Sequence, residues 1–195
     1  MNRRSSSLEA DYFERMFQGD EDPWDLETSA YERSKFDHTV RALGGRSYRR
    51  GFEVGCAKGV LTSKLAAACE ALLAIDVSAT ALRAARKRCA TAPQVSFAQM
   101  AFPGSAPEET FDLAVLSEVA YYWDDGDLER AARWIDGHLL PGGDLLLVHW
   151  TGETDYPQTG DEAVAKLQAA LRDKTEIVLE ERCPHYRLDL WRGTL

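Results

Sequence analysis

Residues 51–59 (GFEVGCAKG) constrain the fold of this chain more than any other segment. They join a short apolar run to a helical pattern through a loop with glycine at positions 55 and 59. Glycines at a strand-to-helix junction permit backbone conformations, and a close approach to a ligand, that side chains would prevent. The segment therefore predicts the first strand–helix unit of an α/β domain, with a ligand bound at the loop.

The rest of the chain alternates between apolar runs and helical patterns, which predicts a mostly parallel sheet with helices on both faces. Strands are predicted near 50–54, 71–78, 95–102, 111–119 and 143–150, and the segments 175–182 and 185–193 predict a C-terminal antiparallel pair. Helices are predicted at 8–17, 30–44, 60–70, 78–90, 124–140 and 160–171. Residues 1–7 are expected to be a frayed tail. In such sheets ligands bind at the carboxyl ends of the strands.

Composition excludes several classes of partner. The net charge of −9 argues against a nucleic-acid binder, which would need a basic surface. No apolar run approaches about 18 residues, so no membrane span is expected. The four cysteines form no Cys-x-x-Cys pair and have no histidine at zinc-ligand spacing, so no metal site is expected. We expect a cytoplasmic protein with reduced thiols and see no sign of an obligate protein partner.

The glycine loop does not have the pattern of a phosphate-binding loop. A dinucleotide-binding loop reads Gly-x-Gly-x-x-Gly, and a P-loop requires Gly-Lys-Ser/Thr, and both are absent. The order Glu53-Val54-Gly55-Cys56-Ala57-Lys58-Gly59 instead resembles the first motif of class I S-adenosylmethionine-dependent methyltransferases. Ala57 replaces the central glycine of that family, and a residue this small should still permit the turn. No role is predicted for Lys58.

Four further segments match motifs of the same family in the same order. They are IDV at 75–77, QMAF at 99–102, LSEV at 116–119 and LLPGG at 139–143. The resemblance implies a Rossmann-like class I methyltransferase fold with a seven-stranded sheet and S-adenosyl-L-methionine as the cofactor, which leaves as S-adenosyl-L-homocysteine. It also implies that Asp76 accepts hydrogen bonds from both ribose hydroxyls, which suits a carboxylate.

The resemblance assigns a set of residues to the cofactor. Glu53 is expected to face the ammonium end of its methionine part, and the segment after residue 99 is expected to cup the adenine. Arg33 is predicted to bind the methionine carboxylate, although it is equally consistent with a solvated helix face. The predicted cofactor-binding residues are Trp24, Arg33, Glu53, Gly55, Cys56, Gly59, Asp76, Val77, Met100, Ala101, Phe102, Ser117 and Glu118.

The flanking segments are similar to a narrower family, that of nodulation protein S. The similarity rests on six short segments: DPW at 22–24, YERSK at 31–35, SEVAYY at 117–122, HW at 149–150, DYP at 155–157 and TGD at 159–161. This family is rhizobial and N-methylates the free amine of the non-reducing glucosamine of a de-N-acetylated chitooligosaccharide, a precursor of Nod factors. The resemblance implies a single methyltransferase domain over 1–195, with a helical lid segment at 8–45, a cofactor-binding core at 48–150 and a C-terminal helix and hairpin at 151–195.

Two residues are predicted to act on the amine, since methyl transfer requires a deprotonated, well-oriented nitrogen. Glu118, after the fourth strand, is predicted to orient the amine and to accept its proton. His149, at the end of the fifth strand, is a second candidate base and is equally consistent with a structural histidine bonded to backbone. Asp155 is a further candidate, or only a turn residue.

Aromatic side chains after strands four and five are candidates for stacking on the apolar faces of sugar rings. The predicted substrate-binding residues are Tyr121, Tyr122, Trp123, Trp150, Asp155 and Tyr156. At least half of these aromatic residues are equally consistent with core or lid packing. Two alternatives to the chitooligosaccharide function remain at this point: a class I methyltransferase acting on another small amine, hydroxyl or thiol, and a non-catalytic cofactor-binding scaffold.

Overall fold

The computed structural model describes residues 3–194, which form two compact units. One unit comprises residues 9–101, and the other comprises residues 102–194 together with residues 3–8. The prediction of a single domain over the whole chain stays a prediction. Among residues 3–194, no helix has the length and apolar character that crossing a membrane requires.

The unit of residues 9–101 contains three parallel strands and four helices. Its elements in chain order are α1 Ala10–Gly19, α2 Ala30–Ala42, β1 Gly51–Val54, α3 Val60–Leu65, β2 Leu72–Asp76, α4 Ala79–Arg88 and β3 Val95–Gln99. The strand order is β3-β2-β1, with both neighbouring pairs parallel. Every residue of β1 is buried, because a parallel strand is covered on both of its faces.

Serine side chains cap two helices of this unit. The side chain of Ser29 accepts from the backbone N–H of Glu32 at the start of α2, and Ser78 accepts from Ala81 at the start of α4. Both hydroxyls therefore satisfy an N–H group that a helix start leaves without a partner inside the helix. The helix after the glycine loop is shorter than predicted, because α3 ends at Leu65 and continues as a 3-10 turn at Ala66–Ala68.

The N-terminal helix is anchored to the start of α4 through Glu14. The Glu14 carboxylate accepts from Ser78 Oγ at 2.6 Å and from Thr80 Oγ1 at 2.7 Å. These hydrogen bonds lower the Glu14 pKa to about 2. The negative charge also lies at the positive end of the α4 dipole, which stabilises it further.

The unit of residues 3–8 and 102–194 contains four strands and two helices. Its elements are β4 Phe111–Ser117, α5 Asp125–His138, β5 Leu139–Trp150, α6 Gly160–Leu171, β6 Thr175–Arg182 and β7 Tyr186–Gly193. The strand order is β4-β5-β7-β6, with β4 and β5 parallel and with β7 antiparallel to both β5 and β6. The predicted C-terminal antiparallel pair is therefore confirmed. The fifth strand begins earlier than predicted, because α5 ends at His138 and Leu139 is already extended.

The prediction of a frayed tail at residues 1–7 is wrong for residues 3–7, and it lies outside the described residues for 1 and 2. Arg3 forms an ion pair with Glu162, and the backbone N–H of Arg4 donates to the carbonyl of Asp155 at 3.0 Å. Ser7 Oγ accepts from the backbone N–H of Asp124 at 2.9 Å. We call residues 3–8 the N-terminal strap, since polar contacts fix it along residues 122–127 and 155–162.

Candidate active site

The glycine loop after β1 has the turn that its sequence predicts. Gly55 and Gly59 have φ values of 74° and 75°, in the left-handed region that glycine adopts at little cost. A Cβ at Gly59 would lie 3.1 Å from Cα and Cβ of Ala85, so this glycine also allows α4 to pack closely. Ala57 adopts a φ of 46°, as the small replacement was expected to permit. The strain at Ala57 is offset in part by a hydrogen bond from its N–H to Asp76 Oδ2 at 2.8 Å.

Asp76 ends β2, and backbone hydrogen bonds fix its carboxylate. Oδ2 accepts from Ala57 and Oδ1 accepts from the N–H of Ser78, both at 2.8 Å. Burial raises the Asp76 pKa to about 6, although these hydrogen bonds act in the opposite direction. Each carboxylate oxygen retains acceptor capacity. The side chain can therefore accept hydroxyl donors without reorienting.

Glu53 places a second buried carboxyl group in β1, and it is only 1% exposed. Burial raises its pKa to about 7, with a further contribution from the charge of Asp76. The hydroxyl of Thr62 lies near enough to lower the pKa, but it does not reach hydrogen-bonding geometry. Within the described residues, Glu53 Oε2 has no hydrogen-bond partner. A buried acceptor of this kind fits a cationic ligand group, because a cation would stabilise the ionised form.

Cys56 and Lys58 are both buried in the loop, with different surroundings. The Cys56 side chain belongs to an apolar cluster with Ala74, Leu82 and Ala85, and burial raises its thiol pKa well above the ordinary value. Only the backbone of Cys56 is therefore suited to a ligand. Lys58 has a contact that the sequence did not reveal, since its Nζ lies 2.7 Å from Glu27 Oε1. This ion pair ties the glycine loop to the segment between α1 and α2.

The remaining cofactor candidates of this unit lie in three places. Val77 and Met100 follow β2 and β3 and are half-buried, and the N–H of Met100 donates to the carbonyl of Asp76 at 3.1 Å. Ala101 is exposed beside Met100. Trp24 is half-buried against Phe17, with ring centroids 5.4 Å apart.

Arg33 lies on the exposed side of α2. This position favours the alternative interpretation of Arg33 as part of a solvated helix face. The buried cation of α2 is instead Lys35, which is 1% exposed and pairs with Glu32 at 2.8 Å. Lys35 was not among the predicted site residues. Its pairing could have been predicted from the sequence, because Glu32 and Lys35 are one helical turn apart on the apolar side of α2.

Glu118 follows β4 in a strained conformation. Its φ is 59°, a value that a non-glycine residue adopts only when its surroundings require it, and its N–H donates to the carbonyl of Val148 at 2.7 Å. Ser117, the last residue of β4, is half-buried before it. The charge of Glu118 contributes to raising the pKa values of Tyr121 and Tyr122, behind the larger effect of burial.

The three predicted substrate-binding tyrosines are brought together. Tyr121 and Tyr156 stack with centroids 5.6 Å apart and an interplanar angle of 12°. Tyr122 packs against both, with centroids 4.7 Å from each. Tyr122 and Tyr156 are half-buried and Tyr121 is buried, so the group forms a partly accessible aromatic surface in the segments that follow β4 and β5.

Other predicted site residues lie apart from this tyrosine group. Trp123 and Phe102 are each 7% exposed and pack on one another, and Phe102 also packs on Trp134. Their contacts are those of core residues, which favours packing over ligand stacking. Trp150 stacks on His185 with centroids 5.4 Å apart. Asp155 faces Arg4 of the strap, with its Oδ2 3.4 Å from Arg4 Nε.

His149 is completely buried, and its ring contacts backbone rather than solvent. Its Nε2 accepts from the N–H of Ala120 at 3.2 Å. Burial, together with the positive charge of Arg187, lowers its pKa to about 3. A neutral imidazole that already uses its lone pair is a weak proton acceptor. The geometry therefore supports the structural alternative for His149 over the role of base.

Among residues 3–194, no group of three or more His, Cys, Asp or Glu side chains is arranged to hold a metal ion. The candidate functional groups are carboxylates, tyrosines and backbone groups, and each unit carries a set of its own. In the unit of residues 9–101, they are two buried carboxyl groups and a glycine loop. In the other unit, they are a strained glutamate and a group of three tyrosines.

Comparison with known proteins gives one consistent set of matches. The sequence profile of the nodulation protein S (NodS) family matches residues 7–149. Nodulation protein S of Bradyrhizobium diazoefficiens is 34% identical over 169 residues, which are 83% of this chain and 78% of that protein. The Sinorhizobium fredii protein of the same name is 31% identical over 128 residues, or 65% of this chain. This chain spans 59% of the length of the Sinorhizobium fredii protein and 54% of the Rhizobium tropici protein.

A solved structure agrees with the sequence matches. The N-methyltransferase NodS of Bradyrhizobium japonicum, crystallised with S-adenosyl-L-homocysteine, is 26% identical and superposes with a TM-score of 0.81. The match covers 94% of this chain and 97% of that one. It confirms the predicted class I methyltransferase fold, a mostly parallel seven-stranded arrangement that ends in an antiparallel hairpin.

Proposed function

Because this chain belongs to the nodulation protein S family, we propose that it is an S-adenosyl-L-methionine-dependent N-methyltransferase. Its proposed substrate is the free amine of the non-reducing glucosamine of a de-N-acetylated chitooligosaccharide, and its proposed role is in Nod factor synthesis. The observation that carries the proposal is the acceptor Glu53 Oε2, which is buried without a partner among the described residues. It lies in the strand that leads into the glycine loop, where a cationic cofactor needs a counter-charge.

The residues of the unit 9–101 fit the parts of this cofactor. Glu53 would accept from its ammonium group, and Asp76, already oriented by Ala57 and Ser78, would accept from its ribose hydroxyls. Val77, Met100 and Ala101 would border its adenine, and Trp24 and Arg33 belong to the segment that would cover it. When bound, the cofactor supplies an electrophilic methyl group on a sulfonium.

The reaction requires that the enzyme present a neutral amine in line with this methyl group. Glu118 is proposed to accept hydrogen bonds from the substrate ammonium and to take its proton, so that the nitrogen lone pair becomes available. The strained backbone of Glu118 supports this role, since strain of this kind is retained where surrounding structure enforces a functional geometry. Tyr122 and Tyr156 would contact the sugar ring, and His149 would position the segment after Glu118 through Ala120.

The proposal is tested by methyl transfer from labelled cofactor to chitooligosaccharides of four or five sugars. One substrate carries a single free amine on its non-reducing sugar, and the matched control is fully N-acetylated. We expect label in the first substrate and none in the second. Equal labelling of both would contradict methylation of the amine, and cofactor binding without labelling of any amine would indicate a non-catalytic scaffold.

A further inference from the structure

Two buried side chains that flank the glycine loop each have a polar atom without a hydrogen-bond partner among the described residues. One is Glu53 of β1, whose Oε2 is the proposed acceptor for the cofactor ammonium. The other is Thr62 in the first turn of α3, which is 0% exposed and whose Oγ1 has no partner either. Burying a hydroxyl without a hydrogen bond costs free energy, so a partner is expected in the working state of the protein.

Two other hydroxyl groups on helices of this unit donate to a carbonyl of their own helix. In α2, Thr39 Oγ1 donates to the carbonyl of Lys35 at 2.8 Å. In α3, Ser63 Oγ donates to the carbonyl of Val60 at 2.8 Å. This is a common arrangement for serine and threonine within a helix. Among the described residues Thr62 forms no such bond, so its hydroxyl proton is available to a group outside α3.

The surroundings of Glu53 indicate which group that is. Of the described side chains that act on the Glu53 pKa, the Thr62 hydroxyl is the one that lowers it, against the larger, opposite effect of burial. A hydroxyl has this effect by donating to the ionised carboxylate. The other titratable groups around Glu53 are Asp76 of β2, Cys56 of the loop and Cys89 after α4. Asp76 raises the Glu53 pKa, and burial raises the pKa of both thiols above the ordinary value, so both stay neutral near pH 7.

From this arrangement we infer that Thr62 is a positioning residue, whose hydroxyl donates to the ionised Glu53 carboxylate and holds it for the ammonium group of the cofactor. The inference rests on the proposed function for the identity of that cation. A carboxylate has acceptor capacity for both donors at once, so the hydroxyl and the ammonium do not compete. In the cofactor-free protein the same hydroxyl favours release of the Glu53 proton, which binding of a cation requires.

The test compares Thr62→Val, which removes the hydroxyl at a similar shape, with Thr62→Ser, which retains a hydroxyl. Because this hydroxyl has no partner within the fold, its removal should not destabilise the protein. The matched control is Thr39→Val, which makes the same change at a buried threonine whose hydroxyl bonds within its own helix.

The first readout is the Glu53 pKa in the cofactor-free protein, followed by ¹³C nuclear magnetic resonance of the glutamate carboxyl groups, with Glu53→Gln to assign the signal. We expect Thr62→Val to raise this pKa by about one unit, a tenfold change in proton affinity. Thr62→Ser and Thr39→Val should keep it near the wild-type value. An unchanged Glu53 pKa in Thr62→Val would overturn the inference.

The second readout is the affinity for S-adenosyl-L-homocysteine, measured by calorimetry at pH 6 and pH 8. A rise of the Glu53 pKa from about 7 to about 8 lowers the ionised fraction about tenfold at pH 6 and about twofold at pH 8. We expect Thr62→Val to weaken binding by these two factors, and Thr62→Ser to restore it.

The two pH values separate positioning from packing. A loss of affinity in Thr62→Val that is equal at pH 6 and pH 8 would assign Thr62 a packing role and overturn the inference. Failure of the wild-type protein to bind S-adenosyl-L-homocysteine would instead contradict the proposed function. In that case the Glu53 pKa of Thr62→Val would still decide whether the hydroxyl acts on this carboxylate.

Discussion

Replacement of Glu53 by glutamine should make the cofactor-free protein more stable at pH 8 than the wild type, by an amount that disappears toward pH 5. Burial raises the Glu53 pKa from an ordinary value of 4.5 to about 7. The folded state therefore holds a proton that the unfolded state releases above pH 4.5, and wild-type stability falls as the pH rises toward 7. Because one pKa unit corresponds to about 1.4 kcal/mol, the full loss by pH 8 is about 3 kcal/mol.

Glutamine has nearly the same shape and does not ionise, so the variant lacks this loss. Asp76 titrates in both proteins, and its contribution largely cancels in the comparison. The assay is urea unfolding of both proteins at several pH values from 5 to 8, or thermal unfolding, where about 3 kcal/mol corresponds to a change in Tm of roughly 6 to 12 °C for a chain of this size.

The matched control is Glu70→Gln, which makes the same chemical change at an exposed residue of the same unit. Glu70→Gln leaves the buried carboxyl group of Glu53 in place, so it should not reproduce the stability gain of Glu53→Gln at pH 8. If the free energies of unfolding of Glu53→Gln and wild type differ by the same amount from pH 5 to 8, the raised pKa of Glu53 is refuted. It would mean that Glu53 is already ionised in the folded protein and has a counter-charge.

Three other changes test separate parts of the account. Asp76→Ala should weaken cofactor binding at least tenfold in calorimetry, since hydrogen bonds to a charged acceptor contribute about 1.5–3 kcal/mol each; unchanged affinity would show that the ribose binds elsewhere. Glu118→Gln should lower kcat about 10²–10⁴-fold with cofactor affinity nearly unchanged, and normal turnover would remove Glu118 from the mechanism. Arg187→Met should destabilise the protein by about 3–5 kcal/mol in urea unfolding, because it leaves the fully buried Asp189 without its cation at 2.7 Å; wild-type stability would contradict that pairing.

Much of the fold was predictable because its signals are local. Apolar strands that alternate with capped helices, such as the one beginning after Ser78, identify parallel strands and crossovers without knowledge of distant contacts. The glycine loop was predictable for the same reason, since the positive φ of Gly55 and Gly59 is a property of a short turn.

The features that the sequence did not reveal depend on partners far along the chain. The N-terminal strap is ordered by residues more than 100 positions away, as in the contact between Ser7 and Asp124. The burial of Trp123 against Phe102 follows from packing, which aromatic content alone does not specify. The role of His149 likewise became distinguishable only from its contact with Ala120 and its complete burial.

The proposed activity of this protein is methyl transfer to the amine of a terminal glucosamine. The most direct measurement uses cofactor with a ¹³C-labelled methyl group and a chitopentaose with one free amine at its non-reducing end, with the product analysed by nuclear magnetic resonance. We expect a single new N-methyl signal, coupled to the carbon that bears nitrogen in the non-reducing sugar. An O-methyl signal, or no incorporation under conditions in which the cofactor binds, would contradict it.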